Sequence, residues 1–508
     1  MKPGDDTLPV FAIVGHPNEG KTTVLATLAE EDSAEISPIP GTTTECKPFP
    51  VWIDGHEVIR FTDTPGFEQP LKALEWFTAH ERATGSLAAR FLAEFGGTRN
   101  FIREQEIMKP LSQGAAVIYV VDGSRPVRQA DLAEMEILRL VNQPRIAVIN
   151  SKSGADTHIE QWEKELLKTF NSVRRFNAYN ATFVDRLNLL SGVRSIIQAW
   201  EPAMDRGIRA FQDDWDRRIQ NSADAVCDMV KAALTSTTRE EIILNNPSAV
   251  ARASAAAEEK LRDQIRREEE RFRQKVRGYF RHRRITGPPQ NSLLVADLFT
   301  EEATHHFGLS KARLAVAGAI IGGTIGFALD VHAAGMTMLL GTLGGTLVGG
   351  SIGYLAGDKL TAVDLQFEGS NKGVRKWLPA RVRLGGVARY ADARPRPTSN
   401  LPWELIGRAM EFFRWASTWP HGRQDEPLQA GDKAQAKHPW LPENWTSEQR
   451  NVATDFIALS FGGSFGQVIV DKMKEFLRLK KSRDPEAVER RMRETIAEIL
   501  KEMTGFRK

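Results

Sequence analysis

Between Val10 and Thr23 the chain reads VFAIVGHPNEGKTT, and no other stretch of its 508 residues restricts the fold as tightly. Five apolar residues, Val10 to Val14, have the length and composition of a strand buried on both faces. They run directly into Gly15, His16, Pro17, Asn18, Glu19, Gly20, Lys21 and Thr22, the G-x-x-x-x-G-K-[ST] spacing of a phosphate-binding loop. Gly15 and Gly20 let backbone N–H groups converge on anionic oxygens, with the positive end of a following helix behind them. Lys21 adds a charge for the β and γ phosphates, and Thr22 offers a hydroxyl to Mg²⁺. Thr23 then enters a helix whose Val24, Leu25 and Leu28 share one face. A strand that turns into a helix through such a loop implies an α/β fold built around a nucleoside triphosphate.

Two later segments fit the same site. Pro40, Gly41, Thr42, Thr43, Thr44 and Glu45 lie between the first helix and a strand pair expected over Lys47–Ile53 and Glu57–Phe61. They form either a solvated turn or a switch segment that lends one hydroxyl to Mg²⁺. The second strand of the pair runs out into Thr62, Asp63, Thr64, Pro65 and Gly66. An Asp at a strand end beside a phosphate loop can hold Mg²⁺ through water, and the Gly N–H can sense a γ phosphate. Apolar strands at Ala115–Val121 and Arg145–Ile149, with a helix from about Arg128 to Leu140 between them, predict parallel pairing with right-handed crossovers. Phe67 to Phe95 reads as helix.

In that order, GHPNEGKT, PGTTTE and DTPG resemble the translation-factor class of GTPases, and within it the Era and TrmE-like branch, over Leu8 to Trp200. The resemblance implies a P-loop NTPase G domain with a mostly parallel sheet, GTP as substrate, GDP as product, and Mg²⁺. It implies nucleotide contacts from the loop residues Gly15 to Thr23 and from Asp63, Thr64, Pro65 and Gly66. Thr22, Thr43 and Asp63 become the Mg²⁺ set, and Lys21, Thr43 and Gly66 the catalytic one. Asn18 matches the Asn that in this branch helps bind K⁺. Phe67 stands where Ras-like proteins keep a water-orienting Gln, so slow basal turnover is expected, with K⁺ or a facing partner supplying the missing function. Asn150 falls where the family begins Asn-Lys-x-Asp, its base-reading motif. Ser151 to Asp156 then break the register. Either a longer loop brings Asp156 to guanine with Lys152 packed on the ring, or Asp156 is a solvated loop residue; to that extent GTP against ATP stays open. The closing turn over the base is placed in Asn177–Ala181, with Asn180 and Ala181 nearest to the family's Ser-Ala.

A chain of this length needs more than one domain. The expected divisions are 1–201 for the G domain, 202–310 for a charged helical region, 311–358 for a glycine-rich helical hairpin and 359–508 for a mixed, mainly helical region. Leu261, Ile265, Phe272, Val276 and Tyr279 recur at helical spacing among charges. Arg271, Arg273, Lys275, Arg277, Arg281, Arg283 and Arg284 have no acid between them. That run is either a surface for anionic lipid or nucleic-acid phosphates, or a solvated helix end. Gly318, Gly322 and Gly326, then Gly341, Gly345, Gly349, Gly353 and Gly357, stand four apart, which puts them on one ridge of each helix as in a glycine zipper. The hairpin either associates with a membrane or is buried in protein. Beyond it, Val363–Phe367 and Val382–Tyr390 have strand character, Pro395, Pro397 and Pro402 mark a linker, and Trp403–Trp419 is an aromatic amphipathic helix. Thr446 with Gln449 forms a capping box.

With a net charge of only +3, attraction to nucleic acid or lipid must come from local patches. Cys46 and Cys227 alone rule out a disulfide framework and point to a reducing compartment. MKPGDDTLPV lacks an apolar core of signal-peptide length, so export is not expected. The reading is a cytoplasmic GTP-hydrolysing switch, peripheral to a membrane or hairpin-inserted at its inner face, with self-association or a protein partner left open. An RNA or ribosome-assembly GTPase ranks behind it, as does a membrane-remodelling or pore-like protein triggered by the G domain.

Overall fold

The computed structural model describes residues 8–31, 43–150, 157–194, 198–243, 246–283, 293–319, 321, 360–367, 388–396, 399–421, 438–462 and 484–505. Six strands build the first sheet: β1 (Val10–Val14), β2 (Lys47–Ile53), β3 (His56–Asp63), β4 (Ala116–Asp122), β5 (Arg145–Asn150) and β6 (Val173–Arg175). They lie in the order β2-β3-β1-β4-β5-β6, all parallel except the edge strand β2. Strand side chains alternate, so Phe11 and Ile13 enter one core and Ala12 and Val14 the other.

The face of Ala12 and Val14 is covered by α2 (Pro70–Ala79), α3 (Leu87–Phe95), α4 (Ile102–Ser112), α5 (Gln129–Val141) and α6 (Ile159–Leu166). Residues 67–95 do not form one helix. The chain breaks after Ala79 and turns at Gly85, whose φ of +89° is open to glycine. The two short helices then fold together on an aromatic cluster, with Phe77 stacked on Phe91 at 5.1 Å and Phe95 edge-on to Phe101 at 5.0 Å.

On the other face, α1 (Lys21–Ala29) and α7 (Phe183–Arg194) begin a core that does not end with the G domain. It continues through α8 (Glu201–Thr235), α9 (Pro247–Tyr279), α10 (Glu301–Phe307), α11 (Leu401–Thr418), α12 (Ser447–Gly462) and α13 (Pro485–Met503). Phe11 of β1 meets Trp200 edge-on at 5.5 Å, and Phe183 of α7 stacks on Trp215 of α8 at 4.2 Å. The change of composition near residue 201 is therefore not a gap between cores. Of the expected stripe on α9, Leu261, Ile265, Phe272 and Val276 are buried and Tyr279 is partly buried, and Ala249, Ala253, Ala257 and Glu269 extend the buried face. The capping box at α12 is also made, with reciprocal bonds between Thr446 and Gln449 of 2.8 and 3.2 Å.

A second, antiparallel sheet lies in the order β7 (Thr238–Glu241), β9 (Ala388–Pro395), β8 (Thr361–Phe367). β8 contains the expected strand at 363–367, but β7 falls in a stretch read as helical and β9 ends on Pro395, read as linker. The basic run also changes meaning. Arg271 pairs with Glu268 at 2.5 Å, Arg273 with Glu269 at 2.6 Å, Arg277 with Glu270 at 2.8 Å and Arg281 with Asp214 at 3.3 Å. The acids stand a helical turn or two earlier, or on α8, so four of the cations in this run are ion-paired in space. Arg284, and the glycines from Gly322 to Gly357, lie outside the described residues. Among the described residues, no helix is long and apolar enough to cross a membrane.

Candidate functional site

The loop between β1 and α1 depends on two glycines. Gly15 has φ +150°, and a Cβ there would stand 2.3 Å from the Val120 carbonyl oxygen on the neighbouring strand. Gly20 caps α1 at φ +84°, a left-handed turn that aims the first free amides of the helix along the loop. Lys21 opens that helix and donates to the carbonyl oxygens of Gly15 and His16 at 3.0 and 2.9 Å, which anchors its ammonium across the loop.

The parallel register pairs Ile13 with Asp63, so the DTPG segment leaves β3 beside the loop. Thr22 Oγ1 donates to Asp63 Oδ2 at 2.9 Å, and Thr43 Oγ1 donates to the same oxygen at 3.4 Å. Three residues from separate segments, each read from sequence as a Mg²⁺ contact, thus meet at one atom. Asp63 is 2% exposed, and its other oxygen, Oδ1, is buried without a hydrogen-bond partner among the described residues. Burial raises its pKa against the opposing pull of Lys21 and the two hydroxyls. A buried carboxylate with one unfilled oxygen and two hydroxyls beside it fits a small hard divalent cation such as Mg²⁺. Gly66 packs onto the loop so closely that a Cβ would stand 2.5 Å from the ring of Pro17.

Other expected site residues are placed differently. The Thr64 hydroxyl donates to the Ile13 carbonyl at 2.7 Å and joins β3 to β1, so it is turned away from a nucleotide. His16 Nδ1 lies 2.7 Å from Glu134 Oε1, and Glu19 bonds Arg125 at 2.6 Å; both side chains face the protein, leaving their backbone to the phosphates. Asn150 donates to the Glu19 carbonyl at 3.3 Å and accepts from the Ala178 amide at 3.2 Å. The closing turn therefore presents Ala178 at the site. Asn180 is exposed and Ala181 is buried in the first core, so they do not take the expected place. Phe67 is 1% exposed and belongs to the core under α2, where it offers nothing to a water. Lys152 and Asp156 lie outside the described residues. Sequence reasoning missed Arg125, Asp131 and Glu134; the one signal was a pair of acids three apart on the buried side of α5.

Residues 10–151 match the family described as 50S ribosome-binding GTPase, and residues 164–456 match the domain of unknown function DUF3482. The tRNA modification GTPase MnmE of Pseudothermotoga lettingae is 29% identical over 191 residues, 37% of this chain and 36% of that protein. The GTPase Era of Fusobacterium nucleatum is 23% identical over 239 residues, 46% of this chain and 68% of that protein. The chain thus spans about a third of the length of the first relative and about two thirds of the second. A crystal structure of an Aquifex aeolicus Era variant bound to GDP and AlF4⁻ covers 53% of this chain and 88% of its own, at 16% identity and a TM-score of 0.26. With a phosphate loop, a converging Thr22–Thr43–Asp63 set and those two matches, the chain carries a P-loop GTPase G domain over residues 10–151 and belongs to the DUF3482 family.

Proposed function

We propose that this protein is a Mg²⁺-dependent switch in which the state of bound guanine nucleotide sets the posture of the DUF3482 region. The observation that carries the reading is the convergence of Thr22 and Thr43 on Asp63, because that carboxylate joins Thr43, in the segment read as a switch, to Thr22 of the phosphate loop. Thr22, Thr43 and Asp63 would hold the cation, which supplies charge neutralisation at the β and γ phosphates when bound. In this reading the loop amides and Lys21 bind and orient the triphosphate, and the Gly66 amide, packed against Pro17 of the loop, senses the γ phosphate. Phe67 positions no water, so intrinsic turnover is slow and rises with K⁺ held by Asn18. Replacing Thr43 with Ala, assayed for GTP hydrolysis over a Mg²⁺ titration, should raise the Mg²⁺ requirement; an unchanged requirement would remove the reading. Equal turnover in K⁺ and Na⁺ would remove the role of Asn18.

The protein is proposed to act in the cytoplasm, with residues 311–358 supplying attachment to the inner face of a membrane. Support is the glycine-spaced sequence there, whose two stretches 314–329 and 335–357 carry no formal charge, and flotation with anionic liposomes with and without that segment tests it. A ribosome-directed reading draws on the description of the family that matches residues 10–151. Co-sedimentation with large ribosomal subunits in a non-hydrolysable GTP analogue separates the two.

A further inference from the structure

Two polar side chains of the phosphate loop are turned inward, His16 onto α5 directly and Glu19 onto Arg125, which in turn pairs with α5. Their receivers, Asp131 and Glu134, are fully buried and stand on one face of that helix. Glu134 takes His16 at 2.7 Å on one oxygen and the Tyr119 hydroxyl at 2.9 Å on the other. Asp131 does not reach the loop itself. Arg125, in the turn after β4, stands between: its Nε donates to Glu19 Oε1 at 2.6 Å, while Nη1 and Nη2 donate to the two oxygens of Asp131 at 2.7 Å each. The second oxygen of Glu19 accepts the Asp122 amide. Arg125 is packed over the indole of Trp162 at 5.1 Å, and its carbonyl accepts the indole N–H at 2.8 Å. Trp162 lies on α6, just past the segment that would read the base.

We propose that Arg125 is a positioning residue for the nucleotide: it clamps the Glu19 corner of the phosphate loop to α5, so that the loop amides are fixed before a polyphosphate arrives. The inference rests on the GTPase reading. Three features support it. Glu19 immediately precedes Gly20, so fixing its side chain fixes the left-handed turn that aims the helix amides. The Glu19 carbonyl is held separately by Asn150, so the corner is gripped at side chain and backbone. The clamp also needs an arginine, because one planar fork serves a bidentate carboxylate, a second carboxylate and an aromatic face at once, which the single point charge of a lysine cannot do.

A loop fixed in advance strengthens ground state and transition state alike, so its loss should appear in KM with little change in kcat. A residue that only supports folding does the opposite: it lowers the active fraction, and hence apparent kcat, and leaves KM alone. The test is steady-state GTP hydrolysis by the full chain carrying Glu19→Gln, Arg125→Gln, both, or Arg125→Lys, beside direct binding of a fluorescent GTP analogue. Each single Gln variant should raise KM about tenfold, with kcat within about twofold, since small displacements of a binding loop carry losses of that order or larger. The double variant should be no worse than the poorer single one, because both remove one clamp. Arg125→Lys should fall between wild type and Arg125→Gln, and it and Glu19→Gln carry the test if Arg125→Gln does not fold. KM values unchanged in the folded variants, or single effects that multiply in the double, would overturn the clamp while leaving the GTPase reading intact. Failure of the wild type to bind the analogue would overturn that reading itself and the clamp with it.

Discussion

Glu30, the residue that ends α1, is clasped by Arg218 of α8: Oε1 accepts from Nη1 at 2.9 Å and Oε2 from Nη2 at 2.5 Å. Arg186 of α7 stands 2.6 Å from the same carboxylate and Arg281, just past α9, 3.5 Å from it. Glu30 holds φ +52° to make this possible. One helix of nine residues, about 14 Å long, thus runs from Lys21 and Thr22 at the phosphates to a carboxylate gripped by the DUF3482 region.

Replacing Glu30 with Gln should cost about 3–5 kcal/mol of folding stability, because it leaves buried guanidinium groups without their counter-charge. Burial alone would raise this carboxyl, but Arg186 and Arg218 reverse that and hold it well below 4.5. The stabilisation is therefore complete above about pH 4.5 and is lost as pH falls through the lower folded value. Urea unfolding followed by tryptophan fluorescence at pH 7 and at pH 3 should show a large difference between variant and wild type at the first and a smaller one at the second. Equal midpoints at pH 7 would contradict the role of the cluster.

Glu404 on α11 behaves in the opposite sense. It is fully buried, neither oxygen has a hydrogen-bond partner among the described residues, and the nearby Thr304 hydroxyl donates instead to the Thr300 carbonyl at 3.3 Å. Burial pushes its carboxyl up to about 7. Between the ordinary 4.5 and about 7 the folded state holds a proton that the unfolded state has released, so stability falls as pH rises through that window. Glu404→Gln should be more stable than wild type by about 2–3 kcal/mol at pH 8, with the advantage gone at pH 4.5. Thermal unfolding at the two pH values checks this, and a difference independent of pH would contradict it.

Cys46 and Cys227 should be inert in the folded protein. Burial pushes both thiols up to about 12, with Glu106 beside Cys46 adding to the shift. At pH 8 the thiolate fraction is then about one in ten thousand, so iodoacetamide should label neither within minutes and both after unfolding in urea. Rapid labelling of the native chain, located by mass spectrometry, would contradict the packing around them.

The phosphate loop and the parallel strands beside it were legible in the sequence because they are local: each is a short apolar strand ending in a fixed spelling. What escaped was written in pairs of distant residues. β7 and the part of β9 beyond Tyr390 carry charges that meet across strands, as Arg239 meets Asp392 at 2.7 Å and Arg394 meets Asp364 at 2.6 Å, so no apolar alternation marks them. The buried face of β9 is Ala391 and Ala393, too small to register as a hydrophobic run. The run from Arg271 to Arg284 looked like a patch because its partners, Glu268, Glu269 and Glu270, come just before it. His16 and Glu19 were assigned to the nucleotide because their partners, Glu134 on α5 and Arg125 in the turn before it, lie more than a hundred residues away.

The sharpest test is calorimetric titration of the full chain with GTP in Mg²⁺, wild type beside Lys21→Ala. The wild type should bind with a saturable isotherm, and the variant should lose at least about hundredfold in affinity, since a charge held against the phosphates is removed. A Lys21→Ala protein that is folded and binds GTP as tightly as the wild type would show that the nucleotide is not gripped at this loop.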